Sequence, residues 1–244
     1  MTAPIFAMIP CRKGSQRVLN KNTRPLPRYP GGLLELKLRQ IFASKELAGV
    51  VLSTDDPLCI EIAQGLQRPG RSLTIVERPE HLAVADTLDA FVDYVPTIMP
   101  PGAVAWMHVT SPFFDENCMD RAVQHYRQGV ADGEGDSLMG VSRIQSFLWD
   151  ETGCVSHDRA LAKWPQTQDL RPLYEVNSTI FVMDRDLMVG HRDRIGDRPI
   201  LHHVDRKNAF DIDWPDDFTL LQHFLAAEDA VEAPPFADRL ATGA

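Results

Sequence analysis

A short apolar run, Ile5-Phe6-Ala7-Met8-Ile9-Pro10, opens into a loop that carries six basic side chains and no acid before Pro30, in a chain of formal charge −9. A run this short and apolar, bounded by proline, reads as a strand buried on both faces, although periodicity alone does not separate it from a buried helical segment. The six are Arg12, Lys13, Arg17, Lys21, Arg24 and Arg28. So much local positive charge in an acidic chain calls for an anionic ligand. Gly14 lets backbone approach that ligand, Ser15 offers a hydroxyl, and successive loop N–H groups form a concavity that Arg12 and Lys21 close with full charges. The spacing is neither GxxxxGK[ST] nor GxGxxG, so the alternative reading is a solvated basic loop.

Apolar runs and amphipathic stretches alternate along the rest of the chain, the pattern of an α/β fold with a mostly parallel sheet flanked by helices. Helices are expected from Gly31-Gly32 to about residue 45, after Asp56-Pro57 with Asp56 as N-cap, and over 115–128; strands are expected from Val50 into the turn at Asp55-Asp56, and at 72–77, 103–112, 137–142 and 178–183. The 244 residues, 44% of them hydrophobic, suffice for one large domain, here 1–228 with a tail at 229–244. Polar residues, isolated aromatics, Gly153 and Pro165 mark 144–177 as an inserted subdomain suited to a subunit contact. Net negative charge argues against nucleic acid and anionic membranes as partners. Cys11, Cys59, Cys118 and Cys154 are too scattered for a zinc site or a disulfide framework, and with no signal-like leader or membrane-length apolar run the expected location is the cytoplasm.

Further sites lie at strand ends. Arg78 follows the 72–77 strand and has the planar fork to bond a base carbonyl or a phosphate, with a surface ion pair as the alternative. Asp86 or Thr87 is expected to cap the next helix. His108, Thr110 and Ser111 lie at the polar end of the 103–112 strand, which faces the crevice beyond the strand termini, with a structural histidine as the alternative for His108. The loop around Arg192 and Arg194 reads as solvated surface. Near the C-terminus, Phe210-Asp211-Ile212-Asp213-Trp214-Pro215 places two carboxylates one residue apart, and in an extended segment both reach one hard cation. Asp216 and Asp217 then fall in a first helical turn, where the dipole accounts for them.

The run Ile9-Pro10-Cys11-Arg12-Lys13-Gly14-Ser15-Gln16-Arg17, with Lys21-Asn22, resembles the N-terminal signature of the acylneuraminate cytidylyltransferases, the CMP-sialic acid synthetase family. Arg78-Pro79 with Leu82-Ala83 and Asp86-Thr87, the 103–112 strand, residues 166–177 and Asp211-Ile212-Asp213 are similar to further elements of that family. The resemblance implies a Rossmann-like three-layer nucleotidyltransferase that joins CTP to a 2-keto sugar acid with release of pyrophosphate. It implies nucleotide contacts at Arg12, Gly14, Ser15, Lys21, Asn22, Arg78, Asp86 and Thr87, and Mg2+ on Asp211 and Asp213. It also implies acceptor contacts at His108, Thr110, Ser111, Gln168, Tyr174 and Asn177, and a homodimer formed by the 144–177 arm. The chain departs from the pattern at His108, where Gln is usual, at Gln166, where Arg is usual, and at Arg171 and Ser178. Lost charge at Gln166 leaves Arg171 or Lys163 to hold an acceptor carboxylate. The departures at His108 and Gln166 leave open another acceptor, an octulosonate or a phosphonate, and a nucleotide-binding module without turnover is the non-enzymatic alternative.

Overall fold

In the computed structural model, which describes residues 3–83 and 88–232, the apolar run ahead of the basic loop is the first strand of a central sheet. In chain order the elements are β1 (Ile5–Cys11), α1 (Gly32–Ala43), β2 (Gly49–Thr54), α2 (Pro57–Gly65), β3 (Ser72–Glu77), α3 (Glu80–Ala83), α4 (Asp89–Ile98), β4 (Ala103–Met107) and α5 (Glu116–Ala131). They continue with β5 (Ser137–Ile144), a small hairpin of β6 (Trp149–Asp150) and β7 (Gly153–Cys154), a 3-10 turn at Thr167–Asp169, β8 (Leu173–Asp184), α6 (Arg185–His191), β9 (Pro199–His203) and α7 (Pro215–Glu232). The sheet order is β3-β2-β1-β4-β8-β5-β9, and only β8 runs against its neighbours.

Alternation along the strands divides the apolar residues into two layers. Ile5, Ala7 and Ile9 of β1 point to the side packed by α1, α2, α5 and α7, while Met8, with Trp106 and Phe181 beside it in register, points to α4 and α6. Strands buried on both faces explain the near-continuous apolar runs. Asp56 caps α2, its carboxylate accepting from the Leu58 N–H at 3.0 Å, and Pro57 follows at the first helical position. Asp115 caps α5 the same way through Cys118 N. Within α1, Lys37 is 1% exposed and donates from Nζ to the Ser111 and Phe114 carbonyls at 2.8 and 2.7 Å, pinning the turn that leads out of β4.

Helix α4 starts at Asp89; Asp86 and Thr87, expected to cap it, lie outside the described residues. One expectation changes. Strand β8 starts at Leu173, five residues earlier than the sequence suggests, because Tyr174 and Leu173 pair with Arg143 and Ile144 of β5. Only 145–172 of the expected 144–177 insertion therefore lies between strands. The β5–β8 register shifts between Met139 and Val141. Gly140 sits at that irregularity, where a Cβ would collide with the Asn177 and Thr179 side chains. Gly140→Ala is expected to lower stability by about 1–3 kcal/mol, as overpacking does. A denaturant midpoint equal to that of the unmutated protein would show that the strand pair absorbs the methyl.

Candidate active site

The carboxyl ends of β1, β3 and β4 border one crevice, at the point where the strand order turns from β1 outward in both directions, which is where open α/β sheets bind ligands. A cavity of about 570 Å³ lies there, lined on one side by Arg12, Ser15, Arg17, Lys21 and Asn22 and on the other by Arg78, Phe91, Trp106 and His108. Its size suits a small-molecule ligand. The basic loop is shaped rather than slack. Gly14 takes φ +77°, a left-handed conformation that costs glycine little. Asp55, from the end of β2, accepts the Lys13 N–H at 2.8 Å, and Asn22 Nδ2 bonds the Arg12 carbonyl at 3.4 Å. No carboxylate pairs with Arg12 among the described residues, so its charge is left for a ligand.

The two carboxylates expected near the C-terminus meet this loop. Lys21 Nζ donates to the Ile212 carbonyl at 2.7 Å and lies 3.5 Å from Asp213, while Arg17 bonds Asp213 at 2.9 Å and stacks over Trp214. The 210–213 segment is also tied to the end of β4, where Ile212 N bonds the Thr110 carbonyl at 2.9 Å and Asp211 accepts the Thr110 side chain. Burial raises the Asp211 pKa and neighbouring Asp213 adds to it, against the Thr110 bond and Lys21. One Asp211 oxygen, Oδ1, is buried without a hydrogen-bond partner among the described residues. A buried orphan carboxylate oxygen next to a second carboxylate fits a hard divalent cation.

On the opposite wall, Arg78 is 6% exposed; its guanidinium bonds the Ser53 carbonyl at 2.9 Å and lies 4.1 Å over the Phe91 ring. Burial lowers its pKa, and Arg12 pushes it the same way, so the two cations face a common space. His108 sits beside Trp106, ring centroids 6.5 Å apart, with Nε2 enclosed and unpartnered. Burial, reinforced by Arg194 and Lys21, drives its pKa down to about 3. The imidazole is therefore neutral at any physiological pH.

A profile for the family described as Cytidylyltransferase matches residues 6–224 of this chain. The chain belongs to the cytidylyltransferase family. Curated relatives include the N-acylneuraminate cytidylyltransferases of Streptococcus agalactiae serotype V, 23% identical over 221 residues, and serotype III, 22% identical over 220; each alignment covers 87% of this chain. The chain spans about half the length, 51%, of these relatives. Solved structures with the same fold include a CMP:2-keto-3-deoxy-manno-octonic acid synthetase complexed with CTP, with TM-score 0.66 and 13% identity, covering 93% of this chain and all of that one. Another is the 4-diphosphocytidyl-2C-methyl-D-erythritol synthase of Anaerococcus prevotii, with TM-score 0.66 and 14% identity, covering 92% of this chain and 99% of that one.

Within this cytidylyltransferase fold, the structure gathers most of the nucleotide-side residues expected from sequence and few of the acceptor-side ones. Arg12, Ser15, Lys21, Asn22, Arg78 and His108 line the cavity, and Asp211 and Asp213 adjoin it through Lys21. Thr110 is a support for Asp211, and Ser111 is buried at 1% exposure beneath the turn held by Lys37. Asn177 is taken up at the Gly140 irregularity, accepting from the Thr179 hydroxyl and bonding Ser142 Oγ at 3.2 Å. Tyr174 packs edge-on against His203, and Gln168 lies in the 3-10 turn of the 145–172 arm bonded to Gln166. None of these last three lines the cavity. Neither Arg17 nor Asp55 has a site role of its own in the sequence. Phe91 and Trp106, which carry Arg78 and His108, left only their aromaticity as a signal.

Proposed function

We propose that this chain transfers the cytidylyl group of CTP to the hydroxyl of a sugar acid and releases pyrophosphate. The observation that carries the reading is the tie between the basic loop and the acidic pair: Arg17 and Lys21 reach Asp213 across the mouth of a cavity that Arg12 and Arg78 also border. Four cations, two of them shared with Asp213, against two neighbouring carboxylates match a polyphosphate that arrives with its own divalent ion. In the reaction the acceptor oxygen bonds the α-phosphorus, the bond to the bridging oxygen breaks, pyrophosphate leaves with that electron pair, and the hydroxyl proton passes to water. The chain's contribution is placement and charge. Arg12, Arg17 and Lys21 hold phosphate oxygens, and the Arg78 guanidinium, fixed by Ser53 and Phe91, presents its remaining N–H groups to the nucleotide. Asp211 and Asp213 would hold Mg2+, which neutralises phosphate charge. Neutral His108 and Trp106 form the acceptor-facing wall.

Pyrophosphate release from CTP against N-acetylneuraminic, legionaminic, pseudaminic and 3-deoxy-octulosonic acids tests the reading. Turnover with one class of acid supports it and names the acceptor, while no release with any of them, under magnesium and with correctly folded protein, overturns it. Asp211→Asn should lower turnover at least ~10²-fold, the scale of a lost transition-state charge contact, with little change in melting temperature, because the amide keeps the shape but binds magnesium weakly. Mn2+ affinity of the CTP complex, followed by water-proton relaxation, should weaken in parallel; unchanged Mn2+ binding would remove the metal role.

For assembly, we propose that the 145–172 arm is a contact between two copies of this chain. Trp149, Leu161 and Trp164 are exposed there, at 54%, 87% and 68%, on a segment too small to bury them itself. Sedimentation of the full chain against a Leu161→Glu, Trp164→Glu variant should show a dimer in the first only. Free thiols at all four cysteines are in keeping with a reducing compartment.

A further inference from the structure

Arg194 is a cation stacked on an aromatic residue of the cavity wall, with no acid pairing its guanidinium among the described residues. Its guanidinium lies 4.0 Å over the Phe181 ring and 5.5 Å over Trp106, which is the cross-strand neighbour of Phe181 and lines the cavity. It is close enough to His108 to depress that imidazole's pKa. No carboxylate bonds it among the described residues; the only acid acting on it is Asp193, the preceding residue, whose carboxylate accepts the backbone N–H of Arg194. A desolvated guanidinium ordinarily finds a carboxylate partner. The neighbouring polar groups are unpartnered too: Trp106 Nε1 and His108 Nε2 are buried without hydrogen bonds. Trp106 Nε1 can only donate, and so can every guanidinium N–H.

The position of Arg194 is fixed from both sides of its loop. Arg192, at the left-handed C-cap of α6, pairs with Asp93 of α4, and Asp136 accepts the Asp197 and Arg198 N–H groups at 3.0 and 3.2 Å. The guanidinium is thus placed before any ligand arrives, which reduces the ordering cost of binding.

We propose that Arg194, with Trp106 Nε1 and His108, is the oxyanion subsite for the acceptor, binding the carboxylate of the sugar acid at the wall opposite the basic loop. This rests on the transferase reading above, and it names the residue of this chain that selects an acidic acceptor over a neutral one. Arg171 and Lys163, which the sequence offers for that role, are both exposed on the arm.

The experiment compares N-acetylneuraminate and 3-deoxy-octulosonate with their methyl esters, by calorimetric binding in the presence of CTP and by KM in pyrophosphate release, for the unmutated protein, Arg194→Met and Arg194→Lys. Methionine preserves aliphatic packing on Phe181 and Trp106, and lysine preserves charge. The expected result is a loss of at least ~10-fold in affinity for the acid in Arg194→Met, in line with a hydrogen bond to a charged group. The acid-to-ester preference should collapse in that variant and partly return in Arg194→Lys, with KM for CTP within about two-fold throughout. An acid-to-ester ratio unchanged in Arg194→Met overturns the subsite, and so does binding of none of the acids by the unmutated protein. Arg194-dependent binding of an acid without pyrophosphate release would support the subsite and overturn the transfer reaction, so the two claims fail separately.

Discussion

Lys21→Ala is expected to lower kcat/KM for CTP by about 10²–10³-fold, the scale of a single charge contact aimed at the transition state. The ammonium is only 13% exposed and has two engagements, the Ile212 carbonyl at 2.7 Å and Asp213 at 3.5 Å, which place it between the basic loop and the acidic pair. In the transfer proposed above, truncation would remove a charge from the phosphates, and it frees Asp213 from one of its two cations. The stability loss should be small, on the order of 1 kcal/mol for one part-buried hydrogen bond. Lys21→Arg retains charge without reproducing a point contact at Ile212 and should recover part of the activity. Steady-state kinetics in CTP at saturating magnesium decide: near-normal constants in Lys21→Ala would reassign the side chain to structural bracing of 210–213.

Lys37→Met should destabilise the fold by about 2–5 kcal/mol at pH 9, because the Ser111 and Phe114 carbonyls both lose their donor and each buried orphan costs about 1–3 kcal/mol. For a chain of this size that is a fall of about 5–15 °C in melting temperature. Burial lowers the Lys37 pKa from 10.5 to about 7 despite opposing attraction from Asp115. A lysine whose folded pKa lies below its unfolded value binds fewer protons when folded, so its contribution to stability rises with pH between about 7 and 10.5 and is at its least favourable below 7. The penalty of the Met variant should therefore be smaller at pH 6 than at pH 9, since at pH 6 the unmutated protein already bears the cost of a buried charge. Melting curves of both proteins at the two pH values check this, and an equal penalty at both would mean that Lys37 is not desolvated.

The basic loop was legible because its signal is local: six cations without an acid in an acidic chain need no knowledge of the fold to stand out. Asp211 and Asp213 were legible for the same reason, as a spacing. Asp56 followed from the Asp-Pro pair alone. Arg194 was not legible, because it follows a solvated Arg192-Asp193 and acquires meaning only when β4 and β8 bring Trp106 and Phe181 beneath it. Asp55 likewise reads as a turn acid until the Lys13 N–H reaches it across two strand ends. Tyr174 and Asn177 were placed in an irregular arm because Leu173 to Asn177 alternates weakly, and the pairing with β5 that makes them strand is a long-range fact. No local pattern marks Gly140 as the point where that pairing slips.

β8 has a mechanical consequence. Its twelve residues run without interruption from Leu173, at the root of the exposed arm, to Asp184, and Phe181 near its far end carries Arg194 and flanks Trp106. Its first residues, Leu173 to Val176, are bonded to β5 alone and its last residues, Phe181 to Met183, to both β4 and β5, so the arm and the Trp106 wall sit on one strand that is braced on both edges only at the wall end, with the slip in register at Gly140 between the two stretches. Load applied at the arm would therefore be taken up by the singly bonded stretch of β8 before it reached Trp106.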